Sequence, residues 1–138
     1  MPSSTSTTTS PFDWDDYLRL AKELGARADS ASLRSCVSRA YYCAFHRAKK
    51  KLSKEDVEVS HALVWDEIED GPAPLGAEIA GLGRALRNRR NTADYEARVI
   101  YGWDKKAADA IAKAEQIGAL LIQLSSAPPS SPTSTPGS

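Results

Sequence analysis

The chain has no excess charge of either sign, since 18 Lys and Arg face 18 Asp and Glu. A balanced molecule has no long-range pull toward nucleic acid or an anionic membrane, so any such preference must come from local patches. Cysteine and histidine are scarce, two of each. Neither His46 nor His61 stands at the spacing from a second ligand that a zinc site needs, so no metal is expected. Cys36 and Cys43 fall on what reads as one helix, with α-carbons roughly 10 Å apart at about 1.5 Å rise per residue. That separation is too wide for a bridge within one chain. Both are expected as reduced thiols, Cys36 in the core and Cys43 nearer its edge. There is no phosphate-cradling glycine loop and no nucleophilic triad, and no cofactor is expected. The longest apolar run, Ile117 with Ala119 to Ile122 around Gly118, is far too short to span a bilayer. The leading residues lack the basic start and apolar centre of a secretory signal. A soluble, cytoplasmic protein without membrane contact is expected.

What is present is helical patterning between two biased tails. Residues 1–11 are Ser/Thr-rich and 126–138 Pro/Ser-rich, compositions that bury too little apolar surface to offset ordering entropy. Both are expected to be disordered, leaving one helical domain over 12–125. No window alternates in the β-branched manner of a strand, whereas five windows step by three and four residues. The fold expected is all-α, an up-and-down four- to five-helix bundle.

The first helix is predicted over about Asp13 to Leu24, capped by Asp13 and stopped by Gly25, with Tyr17, Leu20, Ala21 and Leu24 inward. The second, about Ser32 to Leu52, carries an unbroken apolar stripe from Leu33 through Cys36, Val37, Ala40, Tyr41, Ala44, Phe45 and Ala48. Its other side forms a polar ridge of Ser35, Arg39, Tyr42, His46 and Lys49. A third helix spans about Ser60 to Ile68, anchored by Trp65, and Gly71-Pro72-Ala73-Pro74 ends it. The fourth covers about Leu75 to Tyr95, with Leu75, Ile79, Leu82, Leu86 and Ala93 buried; Gly81 and Gly83 inside it are expected to permit close helix packing. The fifth is predicted to start at Asp104 as its cap and to reach about Leu124. It has one apolar facet of Ala108, Ile111, Gly118 and Ile122 and another of Ile117, Leu120, Leu121 and Leu124.

The densest cluster of chemistry is Arg87-Asn88-Arg89-Arg90-Asn91-Thr92-Ala93-Asp94-Tyr95. Arg84, Arg87, Asn91 and Asp94 share one face, and Arg90 lies one turn before Asp94. Arginine forks suit phosphate or carboxylate partners, and Tyr42 is placed to stack a base as aromatics do in single-strand recognition. The plain alternative is a solvated arginine face with an Arg90/Asp94 pair worth only about 0.2–0.5 kcal/mol. Lys49, Lys50, Lys51 and Lys54 are adequately explained as cations complementing a negative helix end.

Ser38-Arg39-Ala40-Tyr41-Tyr42-Cys43-Ala44-Phe45-His46, together with Leu86 through Tyr95, resembles the HEPN domain family, in particular its small stand-alone bacterial and archaeal members. The resemblance covers roughly Phe12 to Leu124. It implies a dimerising helical bundle whose motif helices meet around a cleft. Many members are metal-independent ribonucleases with an Arg, a polar residue and, a few positions later, a His. Some are toxins neutralised by a nucleotidyltransferase-like antitoxin, and others bind RNA or protein without cleaving. Arg90-Asn91 matches the start of that motif, but Asp94 and Tyr95 stand where the His is expected. Metal-independent cleavage needs a base and an acid of near-neutral pKa, a task for which an ordinary carboxylate or phenol, near about 4 and about 10, is less suited.

The resemblance therefore implies first a HEPN-type binding or regulatory homodimer in a toxin–antitoxin or defence system, with RNA or an antitoxin as partner. Its cleft would be lined by Arg90, Asn91, Asp94 and Tyr95, with Arg39, Tyr42 and His46 as a second wall and Arg84, Arg87 and Arg89 supplying further charge. The alternative is an endoribonuclease using Arg90 with Asp94, Tyr95 or His46. A third expectation is an assembly adaptor that docks through an outer facet containing Leu120 and Leu124.

Overall fold

A computed structural model describes residues 12–98 and 101–126. The described residues form five helices and no strand, an all-α helical bundle: α1 (Asp15–Gly25), α2 (Ser30–Lys51), α3 (His61–Glu69), α4 (Leu75–Tyr95) and α5 (Trp103–Ser126). Apart from Ser126 at the end of α5, the two tails expected at 1–11 and 126–138 lie outside the described residues. None of the helices is long and apolar enough to cross a membrane.

Local chemistry sets the helix starts. The Asp29 carboxylate accepts from the Ser32 backbone N–H at 2.9 Å, and the Ser60 hydroxyl accepts from that of Leu63 at 3.1 Å. Each satisfies a donor left over in a first turn. The predicted α1 cap shifts slightly: Asp13 accepts from the Asp15 N–H at 3.0 Å, but Trp14 occupies the cap position.

α2 is the spine, packed against α1, α3, α4 and α5. Leu33, Cys36, Val37, Ala40, Tyr41, Ala44, Phe45 and Ala48 are all buried. Cys43, expected near the core edge, is fully buried as well, because α1 covers that side and brings Asp15 to 3.9 Å from its thiol. α3 inserts Trp65 into the bundle, where its ring lies so close to Gly83 that a Cβ there would sit 2.5 Å from it. Only a glycine permits this approach. Gly81 has no such neighbour, so close packing explains one glycine of the pair.

On α5 one of the two expected apolar facets faces the core: Ile117, Leu120 and Leu121 are buried and Leu124 packs against them. Its buried stripe runs Trp103, Ala107, Ala110, Ala114, Ile117 and Leu121, in alternating steps of four and three. Of the other expected facet, Ala108 and Ile122 are exposed while Gly118 is buried and Ile111 packs against the core; Leu120 is buried in the chain's own core and Leu124 packs against it. The outer facet assumed for an assembly adaptor is therefore corrected: Leu120 is already used within the fold. On α1, Leu20 is likewise exposed, and Leu18, Ala21 and Leu24 face the core instead.

Candidate functional site

The last turns of α4 bring Arg87, Arg90 and Asp94 past α2. Leu86 and Ala93 bury the adjoining side of the helix, and Arg90 is carried inward with them to 7% exposure. Its guanidinium carbon stands over three tyrosine rings, 5.4 Å from the centroid of Tyr41, 5.3 Å from Tyr42 and 5.9 Å from Tyr95. Such contacts stabilise by about 0.5–1 kcal/mol in water and about 2 when desolvated. Its one carboxylate, Asp94, is 3.6 Å from Nη1, and Ser38 donates to the same carboxylate at 3.3 Å. The Nε atoms of Arg90 and Arg87 are both buried without a hydrogen-bond partner among the described residues.

The structure adds His61 to this cluster. At the first position of α3, His61 is one turn from Trp65, so the burial of Trp65 carries it toward the core. Its ring stacks on Phe45 at 4.0 Å and 7°, and its Nδ1 lies 2.7 Å from the Tyr41 hydroxyl. Trp65 donates to that hydroxyl at 3.2 Å. Burial lowers the pKa of His61, and the charges of Arg90, Arg87 and Lys49 lower it further, so the ring is neutral at physiological pH. Burial pushes Tyr41 up to about 12, against the pull of Trp65, Arg87 and Arg90. Tyr41 is thus a neutral phenol.

The other expected site residues separate into two groups. Tyr42, Arg87, Arg90, Asp94 and Tyr95 come together as described, whereas several others have their contacts elsewhere. Arg84 is clamped to Asp66 at 2.7 Å and Glu69 at 2.8 Å, pinning α4 to α3. Arg39 covers the Tyr17 ring on α1 at 4.8 Å. Arg89 and Asn91 are half-buried on α4 beside the cluster. His46 stacks on Trp14 at 3.5 Å and 6°, with Tyr42 6.3 Å away on its other flank. Burial, with help from Lys49 and His61, lowers its pKa to about 4. It is a neutral packing group, one turn beyond Tyr42 on α2.

Arg34 was not singled out by sequence, yet it holds the chain after α4 by donating to the carbonyls of Glu96 at 2.6 Å and Arg98 at 3.1 Å. Arg98 itself pairs with Glu96 at 2.9 Å. A cavity of about 710 Å³ lies away from the arginine cluster, between α1, the end of α2 and α5. Its charged lining is mixed, with Asp13, Asp15 and Glu55 facing Arg47, Lys49 and Lys50. Among the described residues no group of His, Cys, Asp and Glu could hold a metal ion.

Compared with known proteins, the chain matches no family model, no curated protein and no solved structure. Fold and site together define a class in physical terms. It is an all-α bundle with a buried, incompletely paired arginine cluster walled by tyrosines and a neutral histidine.

Proposed function

We propose that the chain is a HEPN-type helical module that binds RNA through the phosphate backbone at Arg87 and Arg90, without cleaving it. The observation that carries this reading is the pair of buried guanidinium Nε atoms that lack partners. A buried donor left unmade costs about 1–3 kcal/mol, and an incoming phosphate offers several acceptor oxygens in the geometry a guanidinium fork suits. Tyr95, 76% exposed beside Arg90, supplies a ring on which a base can stack. The family resemblance adds the wider setting: a homodimer in a toxin–antitoxin or defence system, with a nucleotidyltransferase-like antitoxin as protein partner.

The test is incubation of pure protein with a mixed RNA pool in EDTA, reading retention on a filter and RNA integrity on a gel. Retained, intact RNA is expected, with retention reduced about tenfold or more in Arg87→Ala, the loss of a charge-assisted contact. RNA that is not retained at all contradicts the proposal.

One observation favours a second reading, a metal-independent endoribonuclease built on Arg90. It is the presence of an imidazole, His61 rather than His46, in the arginine cluster. Cleavage in EDTA that disappears in Arg90→Ala would establish this reading in place of the first.

A further inference from the structure

The hydrogen-bond chain behind His61 fixes which of its nitrogens carries the proton. Trp65 Nε1 is only a donor, so the Tyr41 oxygen accepts from it at 3.2 Å. The hydroxyl then has one proton of its own, and Tyr41 is fully buried. The acceptor beside it is His61 Nδ1, at 2.7 Å. Were Nδ1 protonated instead, the Tyr41 proton would be stranded in the core. The neutral ring therefore holds its proton on Nε2, which makes no hydrogen bond among the described residues.

Position as well as tautomer suits that N–H to a ligand. Phe45 covers one face of the imidazole, and Tyr41 takes the Nδ1 edge. The Tyr42 ring meets His61 edge-on at 6.1 Å and also lies under the Arg90 guanidinium, so it bridges the two groups. Around the imidazole stand Arg87 and Arg90 from α4 and Tyr41, Tyr42, Phe45 and Lys49 from α2.

We infer that His61 is a third donor of the anion site, giving its Nε2–H to a phosphate oxygen of the RNA bound by Arg87 and Arg90. Tyr41 and Trp65 are positioning residues that hold it in this tautomer. The inference rests on the RNA-binding reading and deepens it. It also gives a reason for binding without cleavage: with Nδ1 engaged by Tyr41 and Nε2 protonated, the ring has no free lone pair to act as a base. Donation needs no proton uptake, which the neighbouring guanidiniums oppose.

The experiment has two parts, both on the full chain. Nitrogen-15 NMR of the imidazoles at pH 7.5 should show His61 with Nε2 protonated and Nδ1 bare, changing to a mixture in Tyr41→Phe; the opposite tautomer in the wild type overturns the inference. Titration of a labelled uridine oligoribonucleotide should show affinity about tenfold weaker in His61→Leu, the loss of one hydrogen bond to a charged group. His61→Gln, whose amide N–H₂ reaches the place of Nε2, should recover most of it. Unchanged binding in His61→Leu alongside lost binding in Arg90→Ala would overturn the role of His61 and leave the RNA site standing. A wild type that binds no oligonucleotide would remove both.

Discussion

Arg90 is a cation held chiefly by rings, with its carboxylate at 3.6 Å rather than in a tight fork. Its identity as arginine matters more than its charge. Arg90→Lys keeps the charge but loses the planar fork and the stacking surface, so RNA affinity in an anisotropy titration should fall about five- to tenfold, corresponding to about 1 kcal/mol or slightly more. His46 makes a separate residue-scale prediction. Its pKa in the folded chain is about 4, below the ordinary 6.5. The unfolded chain therefore binds more protons between those values, and the contribution of His46 to stability is complete above about pH 6.5 and is lost as pH falls toward 4. At pH 5 the loss should be on the order of 1–2 kcal/mol relative to pH 7. His46→Phe preserves a ring against Trp14 and should flatten this part of the curve of stability against pH, measured by urea unfolding. An unaltered slope in the variant would show that His46 is not buried neutral.

At the scale of elements, the join between α3 and α4 depends on Gly83, whose missing side chain admits Trp65. Gly83→Ala should destabilise by about 1–3 kcal/mol as the ring is forced aside. Gly81→Ala meets open space and should stabilise by up to about 1 kcal/mol through helix propensity. Thermal melts of the two variants should shift in opposite directions. The sequence made α4 legible to the residue, because Pro74 and the arginine-rich end mark its limits. It also made the α2 stripe legible, since large apolar residues mark each turn. On α5 the facet of Ile117, Leu120, Leu121 and Leu124 is legible, but the helix also makes core contacts through Ala107, Ala110 and Ala114. Alanine carries little hydrophobic signal yet allows the closest approach of helices, so these contacts leave no mark in the pattern. Gly118 is buried for a related reason, since the Arg47 guanidinium lies against it. His61 has no paired ligand to mark it in the sequence, and its inward direction shows only in its place one turn before Trp65. The apolar stripe places Tyr41 in the core, where it is buried, but its hydroxyl links Trp65 to His61, and no pattern in one dimension announces a hydrogen-bond chain.

For the whole molecule, zero formal charge means that the proposed RNA binding would have to rest on a local patch. The proposed site would make few phosphate contacts, so its salt dependence should be shallow compared with that of a broadly basic protein. The measurement that bears most directly on the central claim is the slope of log affinity against log salt for an oligoribonucleotide, wild type beside Arg87→Gln, in EDTA. Arg87 lies in the cluster without an ion pair among the described residues, so its removal breaks no salt bridge within the fold and tests the anion site itself. The account predicts weaker binding in the variant and a slope smaller by about 0.7, one phosphate contact on a single strand. Equal affinity and equal slope in the two proteins would contradict it.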